Sequence, residues 1–203
     1  MIALVDYGLG NIRAFANIYR QLNIPVAIVD RPGDLLKARK IILPGVGAFD
    51  WAMEQLNRSG LRDALDLQVR DRKVDVLGVC VGMQMMALRS EEGELAGLGW
   101  IDAEVLRFDI ATLRQQTQLP HMGWNHVRLI GENPLFQQLD DSQFYFLHSY
   151  FMQPTDPADT LAVADYGVEF TAAVGSGNVY GTQFHPEKSH AWGIRLLQNF
   201  AEL

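Results

Sequence analysis

The first half of the chain contains short apolar runs rich in β-branched residues, each bounded by Gly, Pro or Asp. Such runs are typical of parallel strands that are buried on both faces. The first two runs are separated by residues 11–22, whose apolar side chains follow the i, i+3, i+4 spacing of an amphipathic helix, with Asn11 as a candidate N-cap. The predicted strands are 2–6, 25–29, 40–43 and 74–79. This alternation predicts βαβ units.

The second half has a different pattern, with many strand-like segments and few helices between them. These segments are 98–107, 124–130, 143–151, 160–165, 171–174 and 178–184. Residues 189–201 form a final predicted helix, with Ser189 as its cap and with Trp192, Leu196, Leu197 and Phe200 on one face. The pattern predicts a single α/β domain over residues 1–203, with a mostly parallel central sheet and antiparallel additions in the C-terminal half.

Composition narrows the possible partners and the cellular environment. The 17 Lys and Arg residues are scattered and are outnumbered by 24 Asp and Glu, so neither nucleic acid nor an anionic membrane is an expected partner. The first residues lead directly into a strand-like segment without a basic n-region or a small-residue cleavage site, so a secretory signal is not expected. No apolar run approaches the roughly 20 residues of a membrane span. A single cysteine excludes an internal disulfide, which fits a reducing, cytoplasmic environment.

That single cysteine lies between two glycines, in Gly78-Val79-Cys80-Val81-Gly82, after an apolar strand and before the helical run 83–88. A nucleophile elbow has this form, because glycines allow the chain to approach itself closely at a sharp strand-to-helix turn. A helix N-terminus beyond the turn favours a thiolate and offers N–H groups to an oxyanion. The alternative is that Cys80 is simply a small buried hydrophobic residue.

A candidate general base follows another strand-like segment, in Gln183-Phe184-His185-Pro186-Glu187. A histidine at the carboxyl end of a strand can face the crevice into which the elbow opens. Glu187, two residues later, can orient the imidazole and stabilise its charged form, as the third member of a catalytic triad does. His185 could instead only end a strand, and Glu187 could be solvated, but the two motifs together favour catalysis.

Together, Gly-x-Cys-x-Gly-Met-Gln and Gln-Phe-His-Pro-Glu resemble the motifs of the class I glutamine amidotransferases, whose fold is flavodoxin-like. The resemblance implies that Cys80 attacks the side-chain amide of glutamine and forms a glutamyl thioester that is then hydrolysed. It also implies that His185 relays protons and that Glu187 orients His185. No cofactor and no metal are implied.

Further positions are assigned by the same resemblance. Pro44-Gly45-Val46-Gly47-Ala48 resembles the oxyanion loop of the family, in which a glycine peptide presents its N–H, here at Val46 and Gly47, alongside the N–H of Val81. Without the resemblance, this run predicts only a turn. The positions that match those holding the amino-acid end of glutamine are Gly45, Gln84, His148, Ser149 and Tyr150.

Within the family, the chain resembles the HisH-type glutaminase subunits of imidazole glycerol phosphate synthase from residue 2 to the C-terminus, notably at 6–11, 90–93, 120–125, 145–150 and 185–189. Val81 replaces a more usual leucine, which leaves the main-chain donor available. The resemblance implies a heterodimer with a HisF-type (βα)8 cyclase, which uses the ammonia to form imidazole glycerol phosphate and aminoimidazole carboxamide ribonucleotide. Trp124, Tyr145 and Lys188 match interface positions, although a strand aromatic is usually core and a lysine usually solvated.

Three alternatives remain open from the sequence. A related branch of the family supplies ammonia for amidination of a surface-polysaccharide sugar, and Leu88–Gly93 and Gly97–Ile101 resemble that branch as well. A cysteine peptidase would use the same nucleophile and base, but the Pro-Glu that follows His185 and the full-length resemblance argue against it. An inactive scaffold is the third alternative, against which the intact set of Cys80, His185 and Glu187 argues.

Overall fold

The computed structural model describes residues 1–109, 111 and 118–203. In its first part, strands alternate with helices as the sequence predicts. The elements are β1 (Ile2–Val5), α1 (Ile12–Gln21), β2 (Val26–Val29), α2 (Pro32–Leu35), β3 (Lys40–Gly45), α3 (Phe49–Ser59), α4 (Arg62–Asp66), a π-helical turn (Leu67–Asp71), β4 (Asp75–Cys80) and α5 (Val81–Gln84). The residues of β1 and nearly all of β3 and β4 are buried, as expected of strands covered on both faces.

The second part is dominated by strands. The elements are β5 (Arg89–Ser90), β6 (Ala103–Arg107), β7 (His121–His126), β8 (Arg128–Leu129), β9 (Gln143–His148), β10 (Tyr150–Pro154), β11 (Thr160–Asp165), β12 (Glu169–Ser176), β13 (Val179–Thr182) and α6 (His190–Glu202), with 3₁₀ turns at Pro134–Phe136, Pro157–Asp159 and Pro186–Lys188. Among the described residues, no helix is both long and apolar enough to cross a membrane.

The central sheet has the strand order β2-β1-β3-β4-β13-β12-β11-β8. The first five strands in that order are parallel, and the last three are joined antiparallel. The expected α/β domain, with a mostly parallel central sheet and antiparallel additions in its C-terminal half, is therefore confirmed. Two small sheets, β10-β6-β5 and antiparallel β7-β9, lie outside it. The carboxyl ends of β3, β4 and β13 meet at one edge, which is where ligands bind in open α/β sheets.

The helix α5 is shorter than predicted, and the strand predicted at 98–107 begins only at Ala103. One set of hydrogen bonds explains both differences. After Gln84, the carbonyl oxygens of Met85, Met86 and Ala87 do not continue a helical ladder. They accept hydrogen bonds from the N–H groups of Leu98, Trp100 and Gly99, at 2.7, 2.9 and 3.1 Å. These long-range bonds use the donors that a strand at 98–102 would need.

Other predicted boundaries were also wrong. The predicted strand 143–151 is divided at Ser149 into β9 and β10, which belong to different sheets, and 124–130 is divided at Val127 into β7 and β8. Neither predicted cap makes a side-chain capping bond. The hydroxyl of Ser189 instead donates to the carbonyl oxygen of His185 and accepts from the N–H of Tyr145. Trp192 is 39% exposed and does not join Leu196, Leu197 and Phe200 in the core.

Candidate active site

Cys80 ends β4 in a strained conformation, with φ 56° and ψ −114°. A positive φ is unusual for a residue with a side chain and is typical of functional turns. The flanking glycines make this turn possible, because a Cβ on Gly82 would collide with the carbonyl oxygen of Leu43, and one on Gly78 would lie 2.8 Å from the carbonyl oxygen of Gly82. The strand, turn and helix predicted around Cys80 are therefore present. The four-residue α5 carries only a small dipole, so it contributes little to holding a thiolate.

The loop that follows β3 lies directly beside the nucleophile. Gly45 is the register partner of Cys80, and a Cβ on Gly45 would collide with the amide nitrogen of Gly82. The hydroxyl of Tyr7 donates to the carbonyl oxygen of Pro44 at 2.7 Å and fixes the start of the loop. Gly47 has φ +88°, a conformation that favours glycine. The loop that begins at Gly45 and the start of α5 are thus in close contact next to Cys80.

His185 and Glu187 form a buried pair after β13. The distance between His185 Nδ1 and Glu187 Oε1 is 2.9 Å, and both side chains are only 3% exposed. Burial by itself lowers the pKa of His185, but hydrogen bonds to Cys80 and Glu187 and their negative charges together raise it to about 10. The imidazole is therefore positively charged at neutral pH when the thiol is ionised. This cation, rather than the short helix, is the main partner of a thiolate at Cys80.

A cavity of about 270 Å³ opens above Cys80. Most of the residues predicted for the site line it, namely Val46, Gly47, Cys80, Val81, Gln84, His148, Ser149, Tyr150, His185 and Lys188. Gly45, Glu187, Trp124 and Tyr145 do not line it: Gly45 and Glu187 pack beneath or behind it, and the two aromatic residues lie on the surface. The sequence motifs at 44–48, 78–84, 148–150 and 183–188 therefore converge on one site.

The side chains of Gln84 and His148 are held by the protein itself. Gln84 Nε2 donates to the carbonyl oxygen of Tyr150 at 3.1 Å and to Gln183 Oε1 at 3.0 Å. His148 Nδ1 lies 2.8 Å from the same Tyr150 oxygen, and its Nε2 lies 2.9 Å from Nδ1 of His121. The ring nitrogens of His148 are thus committed within the protein, and the backbone of residues 148–150 and the Ser149 hydroxyl are better placed to meet a substrate.

Sequence reasoning gave no role to three other residues that line the cavity, Glu92, Pro120 and Leu147. Glu92 Oε2 accepts a hydrogen bond from the N–H of Phe49 at 2.9 Å. Burial raises the pKa of Glu92, and the nearby charge of Asp50 adds to the rise, whereas the bond from Phe49 opposes it. Glu92 lies in the segment 90–93, which resembles the family, but nothing in the pattern of that segment by itself indicates a function for Glu92.

The residues predicted for a partner interface form an aromatic surface cluster, defined as Trp124, Tyr145, Lys188 and His190. Trp124 is 46% exposed, stacks on His190 with ring centroids 5.3 Å apart, and meets Tyr145 edge-on at 6.3 Å. Lys188 Nζ lies 5.8 Å from the centroid of the Tyr145 ring. Because Lys188 also lines the cavity, the cluster is continuous with its rim.

Metal ligands do not cluster at this site or elsewhere in the described chain. Within residues 1–109, 111 and 118–203, no group of three or more His, Cys, Asp or Glu side chains has an arrangement that could hold a metal ion.

Comparison with known proteins shows the family to which the chain belongs. The family model for glutamine amidotransferase class-I matches residues 3–202. The chain is 53% identical to the imidazole glycerol phosphate synthase subunit HisH of Bdellovibrio bacteriovorus and 49% identical to that of Leptospira interrogans, over the full length of all three chains. The chain therefore belongs to the class-I glutamine amidotransferase family. Within that family, it groups with HisH subunits of imidazole glycerol phosphate synthase. These relatives favour the HisH type over the branch that serves sugar amidination.

Two solved structures share the fold. A glutamine amidotransferase crystal structure has a TM-score of 0.76 at 18% identity, covering 100% of this chain and 99% of its own. The crystal structure of a glutamine amidotransferase from Thermotoga maritima has a TM-score of 0.63 at 18% identity, covering 92% of this chain and 75% of its own. At these identities, the two structures support the fold alone.

Proposed function

We propose that this chain hydrolyses glutamine to glutamate and ammonia and passes the ammonia to a HisF-type (βα)8 cyclase, with which it forms a heterodimer. The cyclase would use the ammonia to make imidazole glycerol phosphate and aminoimidazole carboxamide ribonucleotide. The observation that carries the proposal is the strained Cys80 beside the buried His185–Glu187 pair, at the floor of a cavity lined by the loop of residues 46–47.

In the first half of the reaction, the Cys80 thiolate attacks the side-chain carbonyl carbon of glutamine, and a tetrahedral oxyanion forms. The N–H of Val81 and the N–H groups at Val46 and Gly47 are the donors for this oxyanion. His185, as the cation, donates its proton to the leaving nitrogen, the C–N bond breaks, and ammonia departs. A glutamyl thioester then remains on Cys80.

In the second half, water attacks the thioester, and neutral His185 takes a proton from it. The tetrahedral intermediate collapses, the C–S bond breaks, and the new γ-carboxyl group loses its remaining proton to solvent as glutamate leaves. Cys80 is again a thiolate beside cationic His185, so electrons and protons balance over the cycle. Glu187 takes no proton in this scheme, but it holds Nδ1 of His185 so that Nε2 is free for transfer.

The cavity contains groups that suit the amino-acid end of glutamine. Glu92 is the only carboxylate among the described residues that line it, so it is the natural partner of the substrate's α-ammonium group. Both amide hydrogens of Gln84 are used within the protein, which leaves its Oε1 able only to accept. Ser149 and the main chain of residues 148–150 supply further polar contacts.

The aromatic surface cluster has features that suit it to contact the partner beside the cavity. Trp124 and Tyr145 offer aromatic area of the kind that is enriched at interfaces, and Lys188 can pair with an acidic group on the barrel. Ammonia released beside Cys80 becomes protonated if it meets bulk water, so a partner that seals this rim protects it. Met122, which is 65% exposed, and Leu147 extend the apolar area next to the cluster.

Replacement of Cys80 by serine tests the proposal in the assembled complex. We expect Cys80→Ser to abolish glutamine-dependent product formation while the cyclase still uses free ammonium salts, because Cys80 acts only in making ammonia. The ammonium reaction is the internal control for assembly. Glutamate release by the wild type separates a glutaminase from an inactive scaffold. Undiminished glutamine-dependent turnover in Cys80→Ser would reject the mechanism.

A further inference from the structure

A continuous chain of hydrogen bonds connects β7 to the nucleophile and includes a residue to which the mechanism gives no role, His121. Asn125 Nδ2 donates to the carbonyl oxygen of Asp165 at 2.7 Å and lies 3.3 Å from His121 Nε2. The Nδ1 atom of His121 is 2.9 Å from Nε2 of His148. From there the chain passes through the Tyr150 carbonyl oxygen and Gln84 to Gln183, whose Nε2 lies 3.8 Å from Cys80 Sγ.

The chemistry at the two ends fixes the direction of this chain. At one end, the Asp165 oxygen can only accept, so the Asn125 atom next to it is the NH₂ group, and that group also donates to His121 Nε2. His121 therefore carries its proton on Nδ1. At the other end, the Tyr150 oxygen can only accept, so His148 also carries its proton on Nδ1. His148 Nε2 is then the acceptor for His121, and the two assignments agree.

This arrangement leaves no place for a proton on either Nε2 atom. A proton on His121 Nε2 would face the NH₂ group of Asn125, and one on His148 Nε2 would face the N–H of His121. Burial acts in the same direction and lowers the pKa of His121 to about 4. Burial, together with the charges of His121 and His185, lowers the pKa of His148 to about 3, although the bond to the Tyr150 carbonyl oxygen opposes the shift. Both rings are therefore neutral at physiological pH and share one tautomer.

Building on the proposed glutaminase function, we propose that His121 is a positioning residue for glutamine. Its Nδ1–H donates to Nε2 of His148 and so fixes the position of that ring, whose own Nδ1–H holds the Tyr150 carbonyl oxygen; this oxygen in turn orients the amide of Gln84. Three members of this chain of hydrogen bonds, Gln84, His148 and Tyr150, line the substrate cavity. Loss of the Nδ1 donor releases this wall of the cavity and weakens glutamine binding, while the Cys80–His185 chemistry is left intact.

A purely structural role for His121 is the competing explanation. Its ring is buried and stacks on Tyr166 and Phe146, with centroids 4.1 and 4.8 Å apart. Two substitutions separate the explanations. By bond count, the side-chain nitrogen of asparagine occupies the place of Nδ1, whereas that of glutamine occupies the place of Nε2. Both variants lose the aromatic stacking, but only His121→Asn keeps the donor to His148.

Steady-state glutaminase assays in the assembled complex give the first test. We expect His121→Gln to raise the KM for glutamine about tenfold with kcat within about twofold, as for loss of a buried hydrogen bond that serves binding. We expect His121→Asn to keep KM within about threefold of the wild type. Tyr166→Leu, which removes stacking but not the chain, should behave like His121→Asn. Equal KM values for His121→Asn and His121→Gln would overturn the proposal.

Imidazole ¹⁵N spectra of the full-length wild-type chain give the second test, which needs neither turnover nor a folded variant. We expect protonated-type signals for Nδ1 and unprotonated-type signals for Nε2 in both His121 and His148 at neutral pH. The opposite tautomer, or a charged ring, would overturn the proposal even if His121→Gln failed to fold. Absence of glutamine turnover in the wild type would reject the glutaminase function itself, which is a distinguishable result.

Discussion

Two buried pairs of side chains that contain histidine, His185–Glu187 and His121–His148, lie close to the same cavity. The pKa values of their histidines are shifted in opposite directions. In the His185–Glu187 pair, Cys80 and Glu187 raise the pKa of His185 to about 10, so the ring is a cation when the Cys80 thiol is ionised. In the His121–His148 pair, the pKa values fall to about 4 and about 3, so both rings are neutral. All three rings are almost completely excluded from solvent.

Burial therefore does not decide the charge of a histidine in this protein; the neighbouring atoms do. Desolvation disfavours the cation in both pairs. At His185 it is outweighed by Cys80, when that thiol is ionised, and by a carboxylate at 2.9 Å. The hydrogen-bond partners of His121 and His148 are instead neutral amides, carbonyl oxygens and each other, and the positive charge of nearby His185 lowers the pKa of His148 further. The first pair is thus suited to transfer protons, and the second pair is suited to hold a fixed hydrogen-bond direction.

The largest expected effect of breaking this contrast comes from removing the cation. We expect His185→Ala to lower kcat for glutamine hydrolysis by about 10²–10⁴-fold, the range for loss of a general acid and base. His148→Asn retains a nitrogen at the Nδ1 position and should leave kcat within about tenfold. Glutamate release by both variants in complex with the cyclase measures the difference. Similar kcat values for the two variants would contradict the assignment of roles.

A smaller loss is expected from neutralising the carboxylate. Glu187→Gln should reduce kcat, but its kcat should remain about 10- to 100-fold higher than that of His185→Ala, because the substitution removes an orienting group and not the base. It should also lower the pKa of His185, since one of its two negative neighbours is gone. Imidazole ¹⁵N titration of His185 in both chains tests this. An unchanged titration midpoint would show that Glu187 does not stabilise the cation.

The neutral pair predicts how stability depends on pH. The folded-state pKa of His121 lies below the unfolded value of about 6.5, so between them the unfolded chain binds more protons. The free energy of unfolding should therefore fall as pH drops from about 6.5 to about 4, by about 2–3 kcal/mol for His121 alone. Urea unfolding across this window measures the slope. In His121→Asn, the free energy of unfolding should depend less steeply on pH across this window. A slope equal to that of the wild type would argue against a neutral pair.

The smallest expected effect concerns the surface beside the two pairs. Tyr145→Ala or Lys188→Ala should weaken association with the cyclase by about 1–3 kcal/mol, the range for an interface anchor, while melting of the free chain changes little. Ile28→Ala is a matched control, because Ile28 is an exposed apolar residue on β2 at one edge of the central sheet. Equal affinity for all three variants and the wild type would place the docking face elsewhere.

The sequence predicted the parts of this molecule that depend on local patterns. Each of these patterns spans only a few consecutive residues. They are the β-branched runs that form β1 to β4, the glycines around Cys80, and the two-residue spacing of His185 and Glu187. The resemblance to a known family then gave roles to His148, Ser149 and Tyr150. It did not indicate that the ring of His148 is occupied by protein partners.

What the sequence did not predict depends on contacts between distant segments. His121 and His148 are 27 positions apart and meet because the antiparallel register of β7 and β9 pairs them directly. Register is set by the whole pairing and not by either strand alone. In the same way, α5 ends early because residues 98–101 bond to its following turn, and Glu92 reaches the cavity through its bond to Phe49.

The most direct test of the central claim is to trap the covalent intermediate. Cys80 is the only cysteine in the chain, so a thioester can form at no other residue. Acid quenching of the complex during glutamine turnover, followed by peptide mass spectrometry, should find a glutamyl group on the peptide that contains Cys80, and none in Cys80→Ser. Sustained glutamine hydrolysis without any glutamyl adduct, at a rate that Cys80→Ser shares, would contradict the account.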